Sequence, residues 1–144
     1  NRTLQGTQSK DTTVSENIQL NFYSRVIAHD GIFDFVSMYG STEETFFVNW
    51  DLGGPYWNPE PKNSYSASPH NFVKNWNTPI MIVQGGMDFR VSETQAFEAF
   101  TAAKMMGVDA KLLYFPQENH WVLKPQNGIL WQREFYKWLD LYLK

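Results

Sequence analysis

The sequence predicts an α/β fold: a parallel sheet with helices on both faces. Three observations predict it. The run Ile80-Met81-Ile82-Val83 is apolar without interruption, as suits a strand covered by helices on both sides. Strand-like and helix-like stretches alternate with short connections from residue 22 onward, which implies right-handed crossovers between parallel strands. A length of 144 residues with 42% hydrophobic and 17% aromatic content suffices for one domain with a buried core, and excludes a disordered chain.

Residues 1–21 are polar, rich in Thr, Ser, Gln and Asn, and read as an arm or linker; the folded portion is residues 22–144. Phe22 to Ala28 has the character of a first strand, closed by the turn residues His29-Asp30-Gly31. Ser41-Thr42-Glu43-Glu44 has the pattern of a capping box, with the Ser41 hydroxyl accepting from the Glu44 amide. It predicts a short aromatic helix through Phe46, Phe47 and Trp50, stopped by Gly53-Gly54-Pro55. Pro55, Pro59 and Pro61 exclude both helix and central strand for the next stretch, so Tyr56 and Trp57 sit on a surface loop. Ser68-Pro69 predicts an N-cap with proline at the first helical position, and a helix through Phe72, Val73 and Trp76.

Thr78-Pro79 launches the strand Ile80 to Val83. Ser92-Glu93-Thr94-Gln95 is a second capping box, and Phe97, Phe100, Ala103 and Met106 follow at helical spacing until Gly107 supplies a left-handed stop. Ala110 to Phe115 is a third strand and Pro116 to Asn127 a loop. Ile129, Trp131, Phe135, Trp138, Leu139 and Tyr142 then mark an amphipathic C-terminal helix, with Trp131, Phe135 and Trp138 as core.

Composition excludes several functions. A net charge of −3 without any cluster of Lys and Arg gives no footprint for nucleic acid or an anionic membrane. The chain has no cysteine, so neither a disulfide nor a thiolate metal site is expected, and the compartment stays open between periplasmic, secreted and cytoplasmic. His29 and His70 have no second ligand at metal spacing and read as structural.

The residues that carry chemistry follow the second and third strands. Gln84-Gly85-Gly86-Met87-Asp88 puts an acid just after one strand, and Phe115-Pro116-Gln117-Glu118-Asn119-His120-Trp121 puts a histidine on the loop after the next. In the Ser, Asp, His chain order of α/β-hydrolases these are the last two triad positions. Asp88 could alternatively cap its own turn. No serine has glycines two residues away on both sides, so the chain contains no G-x-S-x-G elbow, and without cysteine no thiol can replace it.

Phe46, Phe47, Trp50, Tyr56 and Trp57 either line an apolar substrate pocket or pack ordinarily, with Trp50 and Trp57 preferred as substrate-binding residues because glycines and prolines neighbour them. Asp30 and Asp34 flank a strand-end turn at the edge where open α/β sheets place their ligands, with turn capping the favoured reading, and Arg90 is read as the partner of a surface carboxylate in preference to a substrate-binding residue.

Three stretches, AHDGIFDFVSMYGSTEE, SPHNFVKNWNTPIMIVQGGMDFRV and LLYFPQENHWVLKPQNGILWQREFYKWLD, resemble the C-terminal end of the peptidase domain in the prolyl oligopeptidase family. Within it they look most like the dipeptidyl-peptidase V and acylaminoacyl-peptidase branch. The resemblance implies that the chain is the C-terminal half of an α/β-hydrolase fold, following an N-terminal β-propeller in family members. It also implies cleavage of short peptides by a serine mechanism, with no cofactor or metal, Asp88 as orienting acid and His120 as general base.

In the family the elbow serine stands shortly before the segment equivalent to Val26–Gly31, where this chain has its polar stretch. The isolated chain is therefore expected to be a catalytically inactive fragment. Two other readings share the residues: a non-catalytic module that self-associates, as a homodimer, through an exposed sheet edge, and a fragment of an esterase.

Overall fold

A computed structural model describes residues 25–142. The polar arm of residues 1–21, and residues 22–24 of the expected first strand, lie outside the described residues.

Three strands, β1 (Val26–His29), β2 (Ile80–Gly85) and β3 (Ala110–Phe115), pair in the order β1-β2-β3, all parallel. The register sets His29 beside Val83 and Gly85 beside Phe115, so all three strands end on one side of the sheet.

Every residue of β2 is buried, because it has a strand on each flank and a helix on each face. Its side chains alternate between two cores. Ile80 and Ile82 pack with Ala96, Ala99 and Ala103 of a helix, α3 (Glu93–Met105). Met81 and Val83 pack with Phe115 and with Trp138 of the C-terminal helix, α4 (Pro125–Tyr142). Burial of each such aliphatic side chain contributes about 1.5–3 kcal/mol. Among the described residues no helix is long and apolar enough to cross a membrane.

The front of the chain departs from expectation. A helix the sequence reading lacks, α1 (Phe35–Ser41), starts where Asp34 caps it, Oδ1 accepting from the Val36 amide at 2.8 Å. Ser41 is the last residue of α1 and its hydroxyl donates back to the Ser37 carbonyl at 2.8 Å, so it cannot cap the next helix. Thr42 Oγ1 accepts from the Glu44 amide instead, at 3.0 Å, and α2 (Thr45–Leu52) follows. Gly53, at φ 75°, ends α2 in the left-handed region, and a side chain there would collide with the Glu60 carbonyl.

Two 3₁₀ segments, Ser64–Ala67 and Pro69–Asn75, stand in place of the helix expected from Ser68. The Ser68 hydroxyl is taken by the Phe35 amide at 2.9 Å, so it does not cap its own turn. At α3 the helix is where the capping box puts it, but Gln95 does not reach back to Ser92. It is fully buried, and its Oε1 accepts from the Phe33 and Asp34 amides at 2.9 and 2.8 Å. That side chain fixes the loop between β1 and α1. Gly107, at φ 74°, closes α3, and α4 opens at Pro125, four residues before the first apolar position that marked it.

Candidate active site

The strand ends deliver three titratable side chains to one place. From β2 the chain turns through Gly85-Gly86. A Cβ on Gly85 would fall on the Glu118 and Asn119 carbonyls, and one on Gly86 on the Tyr114 hydroxyl and the Pro116 backbone, so only glycine lets the β3 loop come this close. The Gly86 and Met87 amides then donate to the Phe115 and Glu118 carbonyls at 2.9 and 2.8 Å, tying the two loops together.

Asp88 follows with its side chain fully buried. Oδ1 accepts from the Arg90 and Val91 amides at 3.0 and 2.9 Å, and Oδ2 lies 2.8 Å from His120 Nδ1. Asp88 therefore closes its own turn and holds the imidazole at once. With the carboxylate as acceptor, Nδ1–H is the donor and Nε2 is left as the basic nitrogen.

Glu118 stiffens the histidine loop. Its Oε2 accepts from the Leu123 amide at 3.0 Å, and its Oε1 from the Lys124 amide at 3.1 Å and Asn127 Nδ2 at 2.6 Å. Burial opposes its charge, but Asn127, the two amides and Lys124 outweigh that and hold its pKa below the ordinary value.

Asp30, for which the sequence favours turn capping over a place at the binding edge, is the third group. It is buried at the end of β1 with its backbone at φ 48°, and its Oδ2 lies 3.2 Å from His29 Nε2 and 3.9 Å from His120 Nδ1. Burial and then the nearby Asp88 push its carboxyl up to about 7, against the opposite pull of His120 and the Gly85 amide. The pKa of His29 is lowered by burial and by His120, with Asp88 opposing. The sequence left this place among the alternatives for Asp30 without selecting it, because His120 and Asp88 come to it from other strand ends. The only local signal was an acid at the close of a parallel strand, where open α/β sheets place their sites.

Asp30, Asp88 and His120 each offer an atom able to bind a cation, all within 4.8 Å of one another; a cation there would compete with the Asp88–His120 contact.

Beside His120 opens a cavity of about 460 Å³, with Phe35, Met38, Phe47, Val48 and Leu52 as its apolar wall and Thr42, Glu44, Asp51 and Arg90 around it. Phe47, Val48, Asp51 and Leu52 share one face of α2. Trp50 lies off that face, 80% exposed, and does not line the cavity. Trp57 does not line it either; its ring meets Tyr39 and Tyr56 edge-on. Of the aromatic candidates, Phe47 is the one that lines the cavity. Arg90 pairs with Glu44 at 2.8 Å and lies over the Trp121 ring. His70 is held by Ser68 and Asp34, away from these groups.

A model of the prolyl oligopeptidase family matches residues 13–144. The chain is 48% identical over 125 residues to dipeptidyl-peptidase 5 of Porphyromonas gingivalis, covering 85% of this chain and 18% of that protein. It is 50% identical over 121 residues to dipeptidyl-peptidase 5 of Porphyromonas endodontalis, covering 82% and 18%. The chain thus spans about 18% of the length of these curated relatives. Among solved structures, the acylaminoacyl peptidase of Pyrococcus horikoshii superposes with a TM-score of 0.79 at 17% identity, over 92% of this chain and 22% of that one. That likeness shows a shared α/β-hydrolase fold.

Proposed function

This chain belongs to the prolyl oligopeptidase family, and from that premise we propose that it is the acid- and base-bearing part of a serine peptidase of the dipeptidyl- or acylaminoacyl-peptidase type. The observation that carries the proposal is the 2.8 Å contact between Asp88 Oδ2 and His120 Nδ1. In the whole enzyme His120 Nε2 would take the proton of a serine hydroxyl as it attacks a peptide carbonyl. Asp88 would hold the tautomer and stabilise the imidazolium that forms. His120 would then protonate the leaving amine. The apolar cavity beside His120 suits an apolar side chain next to the scissile bond of a short peptide.

The sequence holds no G-x-S-x-G elbow, so the chain alone should turn over neither dipeptide p-nitroanilides nor p-nitrophenyl esters and should not take a fluorophosphonate label. Stoichiometric labelling of any of its serines would overturn this. In the whole peptidase, Asp88→Asn should lower turnover by roughly 10⁴, as in other serine triads, and His120→Ala at least as much. Near-normal turnover in either variant removes that residue from the triad. An esterase would share these residues and differ in hydrolysing the esters but not the anilides.

One observation favours a second property. Among the described residues β1 is paired on one flank only, which supports self-association of the isolated chain through that edge.

A further inference from the structure

His120 Nδ1 faces two carboxylates, and only one of them is accounted for by the triad. Asp88 is held by two backbone amides and by the imidazole. Asp30 approaches the same nitrogen from the end of β1 at 3.9 Å, and its Oδ1 is buried with no hydrogen-bond partner among the described residues. An acid that only capped its turn would look like Asp34, whose carboxylate takes the amide two residues on. Asp30 instead holds its backbone in the left-handed region and its carboxyl out of water, beside an acid and two histidines.

We propose that Asp30 is a second carboxylate of the His120 centre: a positioning residue that shares the Nδ1 face with Asp88 and, by gaining or losing its own proton, resets how readily His120 takes one. The inference rests on the reading of His120 as the base.

Two buried carboxylates this close resist being ionised together, so one keeps a proton. Asp88 has the amides that favour charge, and the proton falls to Asp30, whose carboxyl is pushed up to about 7. Neutral Asp30 leaves Asp88 as the sole charge behind the imidazole. Ionised Asp30 adds a second negative charge and strengthens the imidazolium. The groups facing Asp30 are His29 on β1, Asp88 after β2 and His120 after β3, with Glu44, Asp51 and Arg90 around the cavity that Asp30 also lines. Arg90 is already paired with Glu44, and burial lowers the pKa of His29, the nearer histidine at 3.2 Å, so His120 is the cation that Asp30 can serve.

The test is a nuclear magnetic resonance titration of the chain itself, following the His120 Cε1 and Asp30 Cγ signals with pH in wild type and Asp30→Asn. Asparagine is nearly isosteric and tolerates the left-handed backbone. In wild type the His120 curve should spread over two coupled steps, and the Asp30 carbon should move near neutrality. In Asp30→Asn the His120 curve should collapse to one step with its midpoint lowered by about 1 unit. A His120 midpoint unchanged or raised in the variant overturns the proposal. So does an Asp30 carbon that moves near the ordinary 3.8, a reading wild type gives even if the variant does not fold. Turnover of the whole peptidase tests His120 as base and this titration tests Asp30, so either can fail without the other.

Discussion

A methyl group at position 85 would land on the Glu118 and Asn119 carbonyls, so Gly85→Ala must move the loop that carries His120. It should cost about 1–3 kcal/mol in urea unfolding, and the low-field Nδ1–H resonance of a His120 bonded to Asp88 should disappear. Retention of that resonance at full intensity would show that the loop gives way without losing the contact. Single residues also set the pH response. Because the Asp30 pKa is raised when folded, the folded state holds an extra proton above the unfolded value, and stability should fall as pH rises from 3.8 to about 7. Asp30→Asn should flatten that limb. Glu134 has the opposite sign: Lys111 and Lys137 hold it down to about 2, so its contribution is present above 4.5 and is lost as pH falls toward 2. Unfolding free energies measured across these windows check both limbs.

At the scale of elements, the helices owe their positions to side chains that cross between them. Gln95→Met keeps much of the buried volume but leaves the Phe33 and Asp34 amides without their acceptor, and should destabilise by about 2–4 kcal/mol. Its signature should be faster hydrogen exchange in the loop after β1, while α4 stays protected. Trp138, buried in the core against Met81 and Val83, should cost about 3–5 kcal/mol when replaced by alanine. The same elements show what the sequence could disclose. α3 was legible from Ser92, its apolar spacing and Gly107, yet the work done by Gln95 was not, since its partners lie across the fold. α1 was hidden because it is short, buries only Met38, and its cap Asp34 reads equally well as a turn residue. Ser41 has the sequence of a cap, but being the end of α1 excludes it from starting α2.

The sheet as a whole was legible because Ile80 to Val83 of β2 is an unbroken apolar run and its neighbours follow at crossover distance, which also put Asp88 and His120 on adjacent strand ends. Asp30 and the Phe47 wall were not, because they depend on which faces meet in three dimensions. The one-sided pairing of β1 among the described residues should show in solution as a dimer of the isolated chain, measured by light scattering during size-exclusion chromatography at micromolar concentration. A monodisperse monomer with cooperative unfolding would sink that expectation. The short parallel ladder has one more consequence. β2 and β3 by themselves carry Asp88 and His120 to one another, so the contact depends on that one ladder and on no third strand.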